Sequence, residues 1–212
     1  MKKWCSLLLM AFLVVCFALP ASAEKTDWED KSYDFSRAQR VVVYDVALKD
    51  TAEFENDLIG QVLQEEYEKC AARPKYDMVR QRGLTGPPAG TALENADLYV
   101  TAELLKWHDD SYIKPEYTTY EKKEFTRVKK HSDGSKSTEK YYVTVPVVHP
   151  PEKIYTSTVR MRFDVYDART GNRVMARDET RLRDESHHGQ RGIFGRISKS
   201  FFEDLGKKMH RK

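Results

Sequence analysis

Cysteine is scarce in this 212-residue chain, and most of it lies at one end. Cys5 and Cys16 fall within the first 16 residues, and Cys70 stands alone beyond them. If the N-terminal segment is removed, as argued below, no internal disulfide can form and the hydrophobic core must hold the fold. Cys70 continues an apolar helical stripe, which favours a buried small side chain. A pairing or reactive thiol is the alternative.

The chain also lacks an excess of charge of one sign. It has 36 basic and 33 acidic residues, and without Lys2 and Lys3 the numbers are 34 and 33. This balance argues against a general binder of nucleic acid or of other polyanions. Charged residues make up 33% of the chain with both signs interspersed, which is typical of a well-solvated surface.

Motifs for catalysis or metal binding are missing. No G-x-S-x-G elbow, CxxC pair or HExxH helix occurs, and the glycines and prolines of 83–90 lack a P-loop lysine. His187-His188 lies beside Asp184 and Glu185, but adjacent histidines face different ways, so a polar loop is favoured over a metal site. We therefore expect no enzyme, no catalytic, cofactor-binding or metal-binding residue, and no cofactor. A site assembled from distant residues is the alternative.

The one long hydrophobic run lies at the N-terminus. Two lysines precede the apolar residues Trp4–Leu19, and Ala21 and Ala23 supply small side chains at the positions that signal peptidase reads. The sequence predicts a signal peptide over 1–23 with cleavage before Glu24. The mature chain would then be exported to the periplasm or the extracellular side of the cell envelope.

Two alternatives to a cleaved signal are an uncleaved anchor and a lipoprotein. The apolar run of 16 residues is shorter than the ~20 residues that span a bilayer. Cys16 lies inside this run, and the preceding Val15 is not the small residue that a lipobox needs. We therefore expect cleavage without lipidation.

The first half of the mature chain predicts a strand, a helix, a short second strand over 76–79 and a further strand. Residues 24–39 are polar and indicate an extended lead. The β-branched run 41–46 is typical of a strand covered on both faces. A capping box at Asp50 and a stripe of apolar residues predict a long helix from about 51 to 70. Apolar residues alternate over 98–104, which predicts a strand.

Residues 111–155 differ in character because they are rich in tyrosine. An Asp133-Gly134 turn separates two β-prone runs, which predicts a long hairpin of about 117–130 with 137–149. Pro146 places the second strand at an edge. Half of the twelve tyrosines lie here: Tyr112, Tyr117, Tyr120, Tyr141, Tyr142 and Tyr155.

The last part of the chain predicts a second hairpin around Asp167–Asn172 and a basic C-terminal helix. Apolar residues from Phe194 to Leu205 recur at helical spacing, which favours packing on the sheet over contact with an anionic membrane. Arginines in the hairpin form either an anion-binding stripe or cross-strand pairs with neighbouring acids, and pairing is favoured. They are Arg160, Arg162, Arg173, Arg177, Arg181 and Arg183.

These elements predict an α+β fold. It would contain a mixed, mostly antiparallel sheet with one long N-terminal helix and a C-terminal helix packed on it, plus a long β-hairpin arm. The domain organisation would be a signal peptide over 1–23, an extended lead over 24–39, and a single domain over 40–212 with the arm at about 111–155.

The layout resembles a group of bacterial envelope domains: the N-terminal domain of TolB, the core of CsgG and the activator LpoB. The shared features are the strand Arg40–Val46 leading into a helix, the Ala96-Asp97 entry to a strand, and a hairpin turn with Asp167, Thr170 and Gly171. The similarity covers roughly 40–110 and 155–210. It implies a non-enzymatic envelope role as an accessory, scaffold or partner-binding protein, and it carries over no functional residue.

The hypothesis with most support is an exported accessory module that binds a partner through the arm. Tyr117, Tyr120, Tyr141 and Tyr142 are the candidate partner-binding residues, because tyrosine offers a large contact area and a polar tip. The partner would be an envelope protein or polymer, not nucleic acid, and peripheral membrane contact is not favoured. A structural, self-associating envelope component is the alternative. In another interpretation these tyrosines pack the hairpin on its own domain.

Overall fold

The computed structural model describes residues 23–49, 57–88, 95–184 and 189–210, and these residues are mostly β. Of the described residues, 56% lie in strands and 22% in helices. In chain order the elements are β1 (Ala23–Glu29), β2 (Arg40–Leu48), α1 (Asp57–Ala71), β3 (Asp77–Gln81), β4 (Leu98–Lys114), β5 (Tyr117–Lys130), β6 (Lys136–His149), β7 (Glu152–Asp167), β8 (Arg173–Asp184) and α2 (Gly189–Met209).

The predicted fold class, an α+β fold with a long N-terminal helix, is wrong. Within the described residues the first helix, α1, has 15 residues, and the longer helix is the C-terminal α2 with 21. The predicted capping residue Asp50 lies outside the described residues. Strands dominate because β4 and β7 extend to 17 and 16 residues. They continue through polar stretches such as 108–111, where alternation of hydrophobicity no longer marks a strand.

A six-stranded mixed sheet has the strand order β1-β8-β7-β4-β2-β3. β2 runs parallel to both β3 and β4, whereas β8 is antiparallel to β1 and β7. Parallel neighbours require a crossover, which α1 supplies between β2 and β3. The residues expected to form an extended lead include β1, which is the edge strand beside β8.

Both helices pack on one face of this sheet. Val43 of β2 and Phe163 of β7 share a buried cluster with Tyr67 of α1 and Phe201 of α2. The rings of Phe163 and Phe201 stack with their centroids 4.1 Å apart. Alternation along each strand explains the arrangement, because every second residue of β7 from 159 to 165 points to the helices and is fully buried.

The chain divides into two compact units, one of which is Ser111–Tyr155. The strands β5 and β6 form a separate two-stranded sheet within it. The other unit holds the six-stranded sheet and both helices. Neither helix in the described part of the chain is long and apolar enough to cross a membrane.

Candidate functional site: the long hairpin

The long hairpin, β5 with β6, is a regular antiparallel ladder. Its register runs without a shift from the pair Tyr117–His149 to the pair Lys130–Lys136. The turn is closed where the Ser135 amide donates to Asp133 Oδ1 at 2.9 Å. Gly134 has φ +87°, a conformation that other residues rarely adopt, so the Asp-Gly pair fixes the turn and with it the register.

The four candidate tyrosines are divided between the two faces of this hairpin. Directly opposed residues of an antiparallel pair project to the same side, and neighbours in sequence project to opposite sides. Odd-numbered positions therefore form one face, which we call the odd face, and even-numbered positions form the even face. Tyr117 and Tyr141 belong to the odd face, and Tyr120 and Tyr142 to the even face.

On the odd face, the tyrosines are engaged with their neighbours. Tyr117 stacks on His149 with the ring centroids 4.5 Å apart, and Thr119 Oγ1 lies 2.9 Å from His149 Nε2. Tyr141 stacks on Phe125 at 5.9 Å. Tyr117 and Tyr141 are 40% and 39% exposed, so these contacts leave less than half of each side chain for a partner.

On the even face, the tyrosines are more open. Tyr120 is 72% exposed and Tyr142 is 58% exposed. The Tyr142 hydroxyl donates to Glu124 Oε2 at 3.0 Å, and Lys140 Nζ lies 2.8 Å from Glu124 Oε1. Both hydrogen bonds favour the carboxylate and lower the pKa of Glu124. The polar tip of Tyr142 is thereby oriented, and Lys122 Nζ lies 5.7 Å from the centre of its ring, while more than half of the side chain stays exposed.

Aliphatic side chains extend the even face. Val128 and Val148 are both more than half exposed and flank the two tyrosines along the hairpin. Pro146 lies opposite Tyr120 and has no N–H to donate. The even face is thus a mixed surface, in which the two open tyrosines, two valines and a proline lie among nine threonine, lysine and glutamate side chains.

In the described chain, β5 and β6 pair only with each other. Each strand therefore has an outer edge whose backbone groups are available to an added strand. The unit 111–155 contains nine basic and six acidic residues, a net charge of +3. Charged side chains, lysine above all, are the usual means of keeping an open edge from aggregating.

The arginines of the second hairpin do not form one stripe. Asp178 accepts two hydrogen bonds from Arg160, both 2.8 Å long, and one from Arg162 at 3.3 Å. Arg177 and Arg181 project to the helix side of the sheet, where Arg177 is 2% exposed. The expected cross-strand pairing is confirmed. Because side chains alternate along β8, the arginines are divided between the two sides of the sheet and do not form a single solvent-exposed face.

The remaining sequence-based candidates are the signal-cleavage residues and the histidine pair. Ala21 and the histidine pair 187–188 lie outside the described residues, and no group of potential metal ligands occurs within the described ones. Ala23 and Glu24 begin β1, opposite Arg181 and Thr180, and their role in cleavage stays a prediction.

Burial confirms two predictions about packing. Phe194, Ile197, Phe201 and Leu205 of α2 are fully buried, so their stripe packs on the sheet. Cys70 is also buried, and desolvation raises the pKa of its thiol to about 11.

No protein-family model and no curated protein matches the chain. Among solved structures, it is similar to a PelC dodecamer from Paraburkholderia phytofirmans at 13% identity and a TM-score of 0.49, covering 87% of this chain and 98% of that one. A PelC dodecamer from the same organism in another crystal form has 12% sequence identity and a TM-score of 0.43, covering 90% of this chain and 99% of that one. The hypothetical protein CT253 from Chlamydia trachomatis has 12% sequence identity and a TM-score of 0.32, covering 81% of this chain and 93% of that one. Likenesses of this size assign no function.

Proposed function

We propose that this chain is an exported, non-enzymatic accessory protein of the bacterial cell envelope whose long hairpin binds another protein chain. The observation that carries the proposal is the even face, where Tyr120 and Tyr142 are largely exposed beside open strand edges. The predicted signal peptide supports export. The resemblance to envelope domains such as CsgG and LpoB supports an accessory role.

The hairpin is of a kind that becomes more stable when another chain binds to it. Two strands alone are marginally stable in water, and a third strand or a packed face is what usually stabilises them. A partner strand would extend the backbone ladder, and the two tyrosines would supply contact area at a small cost in side-chain entropy. The proposal therefore assigns recognition to the edge and to the even face together.

The charge of the unit indicates the chemistry of the partner. A net charge of +3 over 111–155 favours an acidic segment and opposes the pairing of two identical hairpins. Self-association through the hairpin is the competing function, and it predicts a complex of this chain with itself.

The test compares two double variants that remove the same side chains from opposite faces. Tyr120→Thr/Tyr142→Thr removes the open tyrosines, and Tyr117→Thr/Tyr141→Thr is the matched control on the odd face. Threonine, like tyrosine, is favoured in strands, so the hairpin backbone should be retained. Each protein is used to recover envelope proteins from its native source, and its mass is checked for a start at Glu24.

We expect the unaltered protein to retain one acidic chain in a fixed ratio, the even-face variant to lose it, and the control to keep it. Replacement of residues 117–149 by a short Gly-Ser linker should abolish recovery while the circular dichroism of the six-stranded unit persists. Equal recovery by all variants would contradict the proposal. Concentration-dependent sedimentation that only the even-face variant loses would establish self-association instead.

A further inference from the structure

An open groove of about 590 Å³ lies between α1 and α2, within the unit that holds the six-stranded sheet. Three glycines of α2, at positions 189, 192 and 195, line it and contribute no side chain to its wall. At Gly195 the helices approach so closely that an added Cβ would lie 3.1 Å from Glu66 Oε1. The groove is therefore shaped by backbone and bordered by long side chains.

The border of the groove is cationic. Arg73, Arg191, Arg196 and Lys199 line it, and Glu66 is the one carboxylate among its described residues. Lys199 pairs with Glu203 at 3.7 Å, on the outside of the helix. The mature chain has almost no net charge, so this concentration of positive charge is local.

The three arginines also differ from most of the other described arginines. Within the described residues, eleven of fifteen arginines form an ion pair with a carboxylate. The four that do not are Arg73, Arg183, Arg191 and Arg196, and three of these line the groove. Guanidinium groups collected around an open space without carboxylate partners are typical of a site for an anion.

We propose that this groove binds a phosphate-bearing ligand with at least two negative charges. Guanidinium groups bind phosphate oxygens through paired hydrogen bonds. Gly189 leaves open space beside the start of the helix, whereas Gly195 lies against the Glu66 carboxylate, so we place the ligand toward the N-terminal end of the groove. The first turn of α2 contains no acidic residue, and its backbone N–H groups add to the attraction for an anion. The ligand is a soluble phosphate ester or a phospholipid headgroup, which share this chemistry. The site is separate from the long hairpin and does not depend on the function proposed for it.

The test uses inorganic pyrophosphate as the soluble probe and the mature chain as the protein. Calorimetry gives the affinity, and the amide resonances of Gly192 and Gly195 report on the location. Arg73→Gln/Arg196→Gln removes two groove cations. Arg37→Gln/Arg169→Gln removes the same charge from an exposed surface elsewhere.

We expect saturable binding that shifts both glycine amides, with a loss of about tenfold or more in the groove variant. The control should remain within about twofold of the unaltered protein. Arg73→Lys/Arg196→Lys keeps the charge but not the fork of donors, and it should bind with intermediate affinity. If the glutamine variant fails to fold, this lysine variant carries the comparison.

A second arm distinguishes the two sources of phosphate. Vesicles of phosphatidylglycerol, with phosphatidylcholine as the neutral reference, are sedimented with each variant. Retention that depends on the groove arginines assigns the ligand to a lipid headgroup, whereas pyrophosphate binding without retention assigns it to a soluble ester. Absence of groove-dependent binding to both probes, or an equal loss in groove variant and control, would overturn the proposal.

Discussion

Arg177 of β8 is buried and contacts residues of both β1 and α2. Its guanidinium donates to Asp27 Oδ1 at 2.7 Å and to Asp204 Oδ2 at 2.9 Å, and it lies over the ring of Phe201. A buried charge is costly unless it is paired, so the two carboxylates are required partners. Burial alone would raise the pKa of Asp27, but the bonds from Arg177 and Lys25 lower it. One side chain of β8 thus holds β1 and α2.

Phe201→Ala should destabilise the protein by about 3–5 kcal/mol, because it leaves a cavity beside Phe163 in the middle of the core. Denaturant unfolding measures the change. Phe125→Ala makes the same substitution on the exposed hairpin and should leave the unfolding of the core within about 0.5 kcal/mol of the unaltered protein. Equal effects of the two substitutions would show that the α2 stripe is not a packing surface.

Asp97 connects the start of β4 to the start of β2 through its side chain. Its contribution to the stability of the fold should depend on pH. Its Oδ2 accepts from the amides of Gln39 and Arg40 at 2.9 and 3.0 Å, and these bonds lower the pKa of the carboxyl below 3.8. A lowered pKa contributes stability above the unfolded value, and the contribution is lost as pH falls through the folded pKa.

We therefore expect Asp97→Asn to cost about 1–2 kcal/mol at pH 7. The cost should shrink as pH falls through the folded pKa of Asp97, because the carboxyl of the unaltered protein then becomes neutral as well. Melting curves of both proteins between pH 2 and pH 7 make the comparison. A cost that is independent of pH would indicate a role for Asp97 other than as a charged acceptor.

At the residue scale, the sequence predicts which side chains are buried better than it predicts which side chains form ion pairs with each other. The spacing of Phe201 on its helical stripe and the place of Cys70 on another are sufficient to predict that both are buried. The pair Arg177–Asp27 spans 150 positions, and no local pattern reports it. The placement of Tyr141 and Tyr142 on opposite faces of the hairpin can be predicted from the sequence, because consecutive residues of a strand project to opposite sides.

At the scale of elements, replacing glycine by alanine should have opposite effects on stability at two helical positions. An added Cβ at Gly60 of α1 would lie at an ordinary 3.6 Å from Leu48, whereas at Gly206 of α2 it would lie 2.7 Å from Cβ of Pro74. Alanine is favoured over glycine in a helix by about 1 kcal/mol. We expect Gly60→Ala to raise the melting temperature and Gly206→Ala to lower it. A gain at both positions would mean that Pro74, in the segment after α1, moves away from α2 at little cost.

Elements with strong local signals are the ones that the sequence predicts. The Asp133-Gly134 turn and the alternation around it place the long hairpin, and the ladder of β5 and β6 confirms that pairing. Helix length and strand continuation are set instead by tertiary contacts. The polar end of β4 has no pattern of its own, and the order of β8 between β1 and β7 appears only when the sheet is assembled.

At the scale of the whole molecule, the first residues of the predicted mature chain belong to the sheet. Cleavage before Glu24 would remove Ala23 from β1 and leave the pairs from Glu24–Thr180 to Glu29–Met175. The composition of this segment gave no indication of the pairing, because all seven residues of β1 are exposed and the strand lacks an apolar alternation. Its position is explained by the buried guanidinium that it neutralises.

A chain that begins at Asp30 should therefore be less stable than one that begins at Glu24. Without β1, Arg177 keeps Asp204 but loses Asp27, and β8 becomes an edge with unpaired backbone groups. Asp27 is 43% exposed and Asp204 still pairs with the guanidinium, so we expect the loss of this charged hydrogen bond to cost about 2 kcal/mol. For a chain of this size that cost corresponds to a decrease in melting temperature of roughly 6 °C. We also expect the shortened protein to aggregate at lower concentration, which light scattering measures.

Asp27→Asn separates the two contributions, because it removes the charge while β1 stays in place. We expect its decrease in melting temperature to be smaller than that of the shortened chain, since the asparagine oxygen still accepts a hydrogen bond from Arg177. Equal decreases would attribute the whole effect to the ion pair. An unchanged melting temperature in the shortened chain would show that β1 contributes nothing to the fold, and that Arg177 is satisfied by Asp204 alone.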